Sequence, residues 1–407
     1  MDPRTARIVV VGAGQAGASL TAKLRALGHT GPLTLIGAEP DPPYQRPPLT
    51  KAYLKGEMAR ERLWLRGPGF YEEAGIALLP GRHAEAIDRA AKEVRLDDGT
   101  HVAYDLLALT TGATPRRLPA ALGGDLPGVL TMRSLADADA LADALTGANR
   151  ALIVGGGYIG LEAAAALRGK GLEVTVLEAA PRILARVAAP VTADYFRALH
   201  AAHGVDIREG ATLARLTQAG GRVAGGELAD GTRLPADIVL IGIGVAPDDA
   251  LAAAAGLATD DGIVVDELCR TSDPMIVAAG DCTRFPYRGE LIRLESVPHA
   301  IDQGEAAAAA MLGAAEPYLA RPWFWSDQFD VKLQIAGLNT GWDHTLTRPG
   351  PRPGSQSVWY FAGRELLADD AMNDPRAYMT AKRWIEAGTS PDPALLADPA
   401  RELKELA

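Results

Sequence analysis

Two glycine turns carry the clearest chemistry in the 407 residues of this chain. Gly12-x-Gly14-x-x-Gly17 and Gly155-x-Gly157-x-x-Gly160 each follow a short apolar run and open a helix-compatible segment. Glycines at such a turn let backbone approach a pyrophosphate, and the helix N-terminus offers free N–H groups and its dipole to the anion. An acid follows the next apolar run in each case. Glu39 lies 22 positions after Gly17 and Glu178 lies 18 positions after Gly160, where a carboxylate can accept hydrogen bonds from ribose hydroxyls. One such turn is weak evidence in a chain with 44 glycines, but two with the same order of elements point to two dinucleotides. Two dinucleotides in one chain suit hydride transfer from a nicotinamide to a flavin. Gly280-Asp281 adds a carboxylate at a strand end, able to accept from the hydroxyls of a ribityl chain.

These groups need strands and helices to hold them. Ile8 to Val11 is a β-branched run, as expected of a strand buried on both faces of a parallel sheet. Helix is expected over Ala18 to Leu27, closing at Gly28, and the next strand over Leu33 to Ile36. The pattern repeats with a strand at Ala151 to Val154, helix at Leu161 to Lys170, and a strand at Val174 to Leu177. Further strands end in glycine turns at Thr111-Gly112 and at Gly242, where backbone can again approach a ligand. Asp98-Gly99 and Asp230-Gly231 are hairpin signals, so each half reads as a βαβ core plus a small β-meander. Met275 to Ala279 is another strand and Ile301 to Leu312 an Ala-rich helix. From about Pro317 the composition changes. Aromatics cluster at Trp323 to Trp325, strand-like runs follow at Phe329–Ala336 and Ser357–Ala362, and a helix runs from Asp374 to Gly388. The tail from Ser390 reads as extended. The expected class is α/β: two Rossmann-like dinucleotide-binding domains plus a C-terminal α+β domain. The divisions are 1–115 with 245–318, then 116–244, then 319–407.

Composition narrows the function classes. The formal charge is −10, from 41 basic and 51 acidic residues, with no basic tract, which argues against nucleic-acid binding. No run approaches the ~18 apolar residues of a membrane span. Arg4 and Arg7 precede an apolar run, but it is short and enters Gly12, so a strand is a better reading than a signal peptide. The two cysteines, Cys269 and Cys282, cannot form a disulfide scaffold or a four-cysteine metal site, and a reduced, cytoplasmic setting fits. The seven histidines are dispersed, and no metal site is expected.

Several motifs stand in a fixed order along the chain. They are Gly12 to Gly17, Tyr44-Gln-Arg46-Pro47-Pro-Leu-Thr-Lys51, Gly155 to Glu162, Thr271 to Asp281, Glu295-Ser-Val297-Pro298 and Trp323-Phe-Trp325-Ser-Asp-Gln328. This order resembles the FAD-dependent NADH:ferredoxin reductases, of the putidaredoxin reductase and aromatic-ring dioxygenase ferredoxin reductase type, over nearly the whole chain. The resemblance implies a glutathione-reductase-like fold with FAD on 1–115 and 245–318 and NAD on 116–244. It further implies electron delivery to a 2Fe–2S ferredoxin that serves an oxygenase. By motif it places Gly12, Gly14, Ala16, Gly17, Glu39, Ala84, Thr111, Gly112, Arg133, Gly280, Asp281 and Val297 at FAD. Arg46, Pro47 and Lys51 form the flavin-side loop, and Trp325 lines the flavin. Gly155, Gly157, Tyr158, Ile159, Gly160, Glu178 and Gly242 are placed at NAD.

Lys51 and Glu162 look like the pair beside the reactive edge of the flavin. A lysine there stabilises negative charge on the reduced ring, and the glutamate holds the lysine. Read without the motif, Glu162 is an acid in a first helical turn. No cysteine falls in positions 40–60, which excludes a dithiol relay or a peroxidatic thiol there, and Cys282 reads as a small buried residue. Glu178 favours NADH over NADPH, although Arg182 could take a 2′-phosphate. Lys332, Arg348, Lys382 and Arg383 are candidates for a basic patch facing an acidic ferredoxin. The alternatives are an NADH oxidase and a signalling flavoprotein of the apoptosis-inducing-factor kind.

Overall fold

The structure is a computed structural model that describes residues 2–67 and 69–406. The chain forms two compact units. The first comprises 1–45, 60–114 and 245–322, and the second 46–59, 115–244 and 323–407.

The first unit is built on a five-stranded parallel sheet in the order Ile276–Ala278, Leu106–Leu109, Ile8–Val11, Leu33–Gly37, Ile76–Pro80. Every residue of Ile8–Val11 is buried. Val9 and Val11 face a core shared with Leu96, Tyr104 and Phe285, while Ile8 and Val10 face Leu20, Leu24 and Met311. A strand covered on both faces explains the unbroken β-branched run. The helices Gln15–Ala26 and Val297–Met311 cover one face, and their close approach leaves no room for a side chain at Gly304. A Cβ there would lie 2.7 Å from the Ala16 carbonyl oxygen. Ala84–Asp88, Glu93–Leu96 and His101–Ala103 form the expected meander.

The second unit repeats this plan. Its parallel sheet runs Val205–Glu209, Glu173–Glu178, Arg150–Val154, Ile238–Ile241, Val129–Leu130. A meander of Leu213–Ala219, Arg222–Leu228 and Arg233–Pro235 accompanies it. The unit also holds an antiparallel sheet in the order Trp323–Gln328, Val331–Gly337, Glu365–Met372, Gln356–Ala362, His344–Pro349, and the helix Pro375–Glu386.

The structure adds to the local reading at three points. The strand-like run Phe329–Ala336 is the strand Val331–Gly337, the second arm of a hairpin, and its first two residues are the turn. Phe329 has φ +55°, which turns the chain, and the aromatic cluster is itself the strand Trp323–Gln328. The tail from Ser390 is not simply extended: Pro393–Leu396 and Leu403–Glu405 are helical turns, and Leu396 and Leu406 are buried against Trp359 and Trp384. Pro190–Ala202 is a helix that went unread, although Pro190 at its first position and the spacing of Ala193, Phe196 and His200 are helix signals. No helix among the described residues is long and apolar enough to cross a membrane, and none of their side chains cluster as metal ligands.

Candidate functional site

The first glycine turn is demanded partly by the chain and partly by something else. Gly12 has φ +111°, and a Cβ on it would lie 2.1 Å from the Thr110 carbonyl oxygen. A Cβ on Gly17 would lie equally close to the Gly12 carbonyl. Both positions are closed to any side chain. Gly14 differs: its backbone is ordinary, φ −86° and ψ −161°, and a Cβ would meet nothing within 4 Å. Folding does not require glycine there. The close approach of a pyrophosphate does, so the turn fits the dinucleotide that the sequence implies.

The other residues expected at FAD gather around this turn or fall in the second unit. A Cβ at Gly280 would lie 3.0 Å from the Ala16 Cβ, so Gly280-Asp281 adjoins the turn. Thr111 Oγ1 donates to the Asp248 carbonyl at 2.6 Å, and the Gly112 carbonyl accepts from Asp248 N–H at 3.0 Å. Tyr44 O–H donates to Glu39. Ala84 heads its strand, buried, and Val297 opens its helix beside the cap Ser296. Near Gly280 the Nε2 atoms of His299 and Gln303 are buried without a partner, as a polar occupant would require. Arg46, Pro47, Lys51, Arg133 and Trp325 belong to the second unit, where Arg46 donates to the Arg133 carbonyl at 2.7 Å.

The second turn is built alike. Gly155 has φ +115° and a Cβ would sit 2.2 Å from the Gly242 carbonyl oxygen; at Gly160 the distance to the Gly155 oxygen is 2.0 Å. Gly157 is again open, with nothing within 4 Å. Glu178 does more than the sequence suggested. Its Oε2 accepts from Gly156 N–H at 2.8 Å and its Oε1 from Ala180 N–H at 2.7 Å, so the acid braces the turn itself. Ile159 and Ile243 are large apolar side chains left exposed at this turn. Tyr158 turns its ring to Phe324, 5.1 Å away, and buries its hydroxyl, which leaves its backbone at the helix start as the part that can face a ligand. Arg182 donates to the carbonyls of Ile183, Ala185 and Ala188, so its guanidinium is spoken for.

Lys51 and Glu162 meet, at 3.3 Å. Lys51 follows the 3₁₀ turn Pro47–Thr50, and Glu162 lies in the second turn of Tyr158–Gly169 rather than the first, which removes the dipole reading. Glu162 is only 5% exposed. Its Oε2 accepts from Thr50 Oγ1 at 3.1 Å, and its Oε1 from Ser326 Oγ at 2.8 Å and Asp327 N–H at 3.3 Å. Lys51 Nζ also pairs with Asp327 at 3.2 Å and lies 5.8 Å from the Trp325 ring centre. Burial works against the Asp327 carboxylate, but Lys332 and Lys51 hold its pKa below the ordinary range. Thr50, Ser326 and Asp327 had no role in the sequence reading. The run Trp325-Ser-Asp-Gln328 was the available signal, because alternation on a strand puts Ser326 and Gln328 on one face.

The remaining expectations divide. Cys269 and Cys282 are both buried free thiols; burial pushes Cys269 up to about 12 and raises Cys282. Neither is poised as a nucleophile. The basic patch loses Arg348, while Arg383 is exposed. Arg348 is buried and donates to the carbonyls of Leu396, Asp398, Pro399 and Arg401, fastening the tail. Lys332 pairs with Asp327 at 2.6 Å, and Lys382 pairs with Glu386.

Comparison with known proteins agrees with this geometry. Residues 6–304 match the pyridine nucleotide-disulphide oxidoreductase family and residues 323–407 the reductase C-terminal domain. The chain is 43% identical to rhodocoxin reductase of Rhodococcus erythropolis, covering 98% of this chain and 93% of that protein. It is 41% identical to putidaredoxin reductase of Pseudomonas putida, covering 98% and 96%. Among solved structures, a covalent putidaredoxin reductase–putidaredoxin complex superposes with a TM-score of 0.94 at 40% identity, covering 98% of this chain and 97% of the other. With two open glycine turns, a half-buried Lys51 paired to the buried Glu162 and a family match over most of its length, the chain belongs to the pyridine nucleotide-disulphide oxidoreductase family.

Proposed function

We propose that this protein is an FAD-dependent NADH:ferredoxin reductase that passes electrons to a 2Fe–2S ferredoxin, and through it to an oxygenase. The observation that carries the reading is the near-full-length match, C-terminal domain included, to reductases of small redox proteins. The two buried, unpaired cysteines support it further, since a dithiol route is closed. Bound FAD supplies acceptance of a hydride from NADH and release of the electrons one at a time.

The chain's own residues divide the remaining work. We assign the Gly12–Gly17 turn with Gly14 open, together with Ala16, Glu39, Ala84, Thr111, Gly112, Gly280, Asp281 and Val297, to FAD. Arg46, Pro47, Lys51, Arg133 and Trp325 are assigned to FAD as well. Gly155, Gly157, Tyr158 backbone, Ile159, Gly160, Glu178 and Gly242 hold NADH. Lys51 brings a positive charge to stabilise negative charge on the reduced ring, and Glu162 orients it. We assign FAD to 1–115 with 245–318, NAD to 116–244, and a separate C-terminal role to 319–407. Reduced thiols fit a cytoplasmic setting.

Stopped-flow reduction of the FAD-loaded protein by NADH, followed by addition of candidate ferredoxins, tests the reading. Fast ferredoxin reduction with slow oxygen turnover is expected. Oxygen turnover as fast as ferredoxin turnover would make it an oxidase, and slow reduction with no acceptor preference would make it a signalling flavoprotein.

A further inference from the structure

Behind Glu162 lies a file of buried polar side chains that the proposed chemistry does not use. His200, on the helix Pro190–Ala202, is fully buried, as are Gln328 and Ser326 on the strand Trp323–Gln328. His200 Nε2 lies 2.9 Å from Gln328 Oε1. Gln328 Nε2 donates to Ser326 Oγ at 3.1 Å, and Ser326 Oγ donates to Glu162 Oε1 at 2.8 Å.

The direction of these bonds is determined by what each atom can do. Ser326 already gives its one proton to Glu162, so it can only accept from Gln328. The Gln328 amide must then present its nitrogen to Ser326 and its oxygen to His200. An amide oxygen only accepts, so His200 must carry its proton on Nε2. The other ring nitrogen, Nδ1, is buried and has no partner, as a bare lone pair tolerates better than an N–H. Burial also pushes His200 down to about 4, which keeps the ring neutral.

We propose that Gln328 and Ser326, set in direction by the Nε2–H of His200, are positioning residues that aim the Glu162 carboxylate at Lys51. A carboxylate with a free torsion could turn its oxygens away from the lysine. Here Oε1 is held by Ser326 and Asp327 N–H, and Oε2 by Thr50. Preorganised partners of this kind are what hold a charged group in a productive orientation. The inference rests on the reading of Lys51 and Glu162 as groups beside the flavin.

The test uses the FAD-loaded full chain. Gln328→Glu is nearly isosteric but offers only acceptors to Ser326, so the Ser326 proton must be shared between two carboxylates. It should slow flavin reduction by NADH roughly tenfold, the effect of one charged hydrogen bond. It should also shift the flavin midpoint potential, while FAD occupancy stays full. Ser326→Ala should give a smaller effect of the same sign. Glu162→Gln should exceed both. If Glu162→Gln slows reduction and the other two do not, the relay is overturned while the Lys51–Glu162 reading stands. If Glu162→Gln changes nothing, that reading fails and the relay fails with it. A second measurement does not depend on the variants folding. Nitrogen-15 NMR of histidine-labelled wild type should show His200 as the neutral Nε2–H tautomer, and an Nδ1–H tautomer would overturn the proposal outright.

Discussion

The two glycine turns share a backbone and differ in who braces it. In both, the outer glycines are forced by carbonyl oxygens 2.0–2.2 Å from any added Cβ, and the middle glycine is free of the chain. Sheet register makes Val11 pair with Ile36 and Val154 with Leu177, so Gly37, not Glu39, is the counterpart of Glu178. In the first turn, Ala13 therefore packs against a glycine; a Cβ at Gly37 would lie 2.6 Å from the Ala13 Cβ. In the second turn, Gly156 gives its N–H to Glu178, and its carbonyl accepts from Leu184 N–H at 3.0 Å. The donor and the acceptor of one residue are thus both held. The second turn is preorganised by its own chain, which suits a nucleotide that must come and go. The first relies on packing, and its acid is displaced by two residues toward Tyr44.

The largest effect should come from the shared part. Gly12→Ala and Gly155→Ala should each cost more than ~3 kcal/mol, because a Cβ would enter a backbone carbonyl at a left-handed φ. Gly14→Ala and Gly157→Ala should leave the thermal midpoint of the apoprotein in place and weaken FAD and NADH binding respectively. Loss of apoprotein stability at Gly14 would make it a glycine of the fold.

Acid should weaken both units through a buried histidine in each. Burial pushes His299 in the first and His200 in the second from the ordinary 6.5 down to about 4. The folded state refuses a proton that the unfolded chain accepts, so stability is full above about pH 6.5 and is lost as pH falls toward 4. The loss is on the order of 2–3 kcal/mol per histidine. His299→Leu and His200→Leu should each flatten the change in thermal midpoint between pH 7 and pH 5, whatever they do to its absolute value. Asp369 should do the reverse. It is fully buried with both oxygens unpartnered, and burial raises its pKa well above the ordinary value. Asp369→Val should therefore stabilise the protein more at pH 8 than at pH 5, and an equal gain at both would refute the protonated carboxyl.

Glu178→Gln separates the two turns. An amide nitrogen cannot accept from a backbone N–H, so one brace is lost, at about 1–2 kcal/mol. The KM for NADH should rise roughly tenfold and the NADH-over-NADPH preference should fall, with FAD occupancy unchanged. Glu39→Gln should act on FAD alone. If both variants affected only nucleotide affinity and not stability, the bracing difference would be wrong. The smallest effect is expected at Lys382→Glu. Its charge is already met by Glu386, so ferredoxin KM should change less than about twofold at low salt. Lys332→Glu should act more strongly, through repulsion of Asp327 and hence on Lys51.

Much of this protein was legible from local pattern. The strand Ile8–Val11, the two turns, the meanders and the helix Pro375–Glu386 with its cap Asp374 follow from periodicity and turn chemistry, which act over a few residues. The order of motifs also anticipated the pairing of Lys51 with Glu162. Long-range facts were not legible in this way. That Arg348 fastens the tail, that Arg182 is occupied by loop carbonyls, and that Glu178 braces its own turn depend on where distant backbone groups stop, and carbonyls carry no residue identity to read. The register that displaces Glu39 by two residues is a property of the strand pairing. The file from His200 to Glu162 joins residues 128 and 164 positions apart, and only packing in three dimensions could give each hydrogen bond its direction.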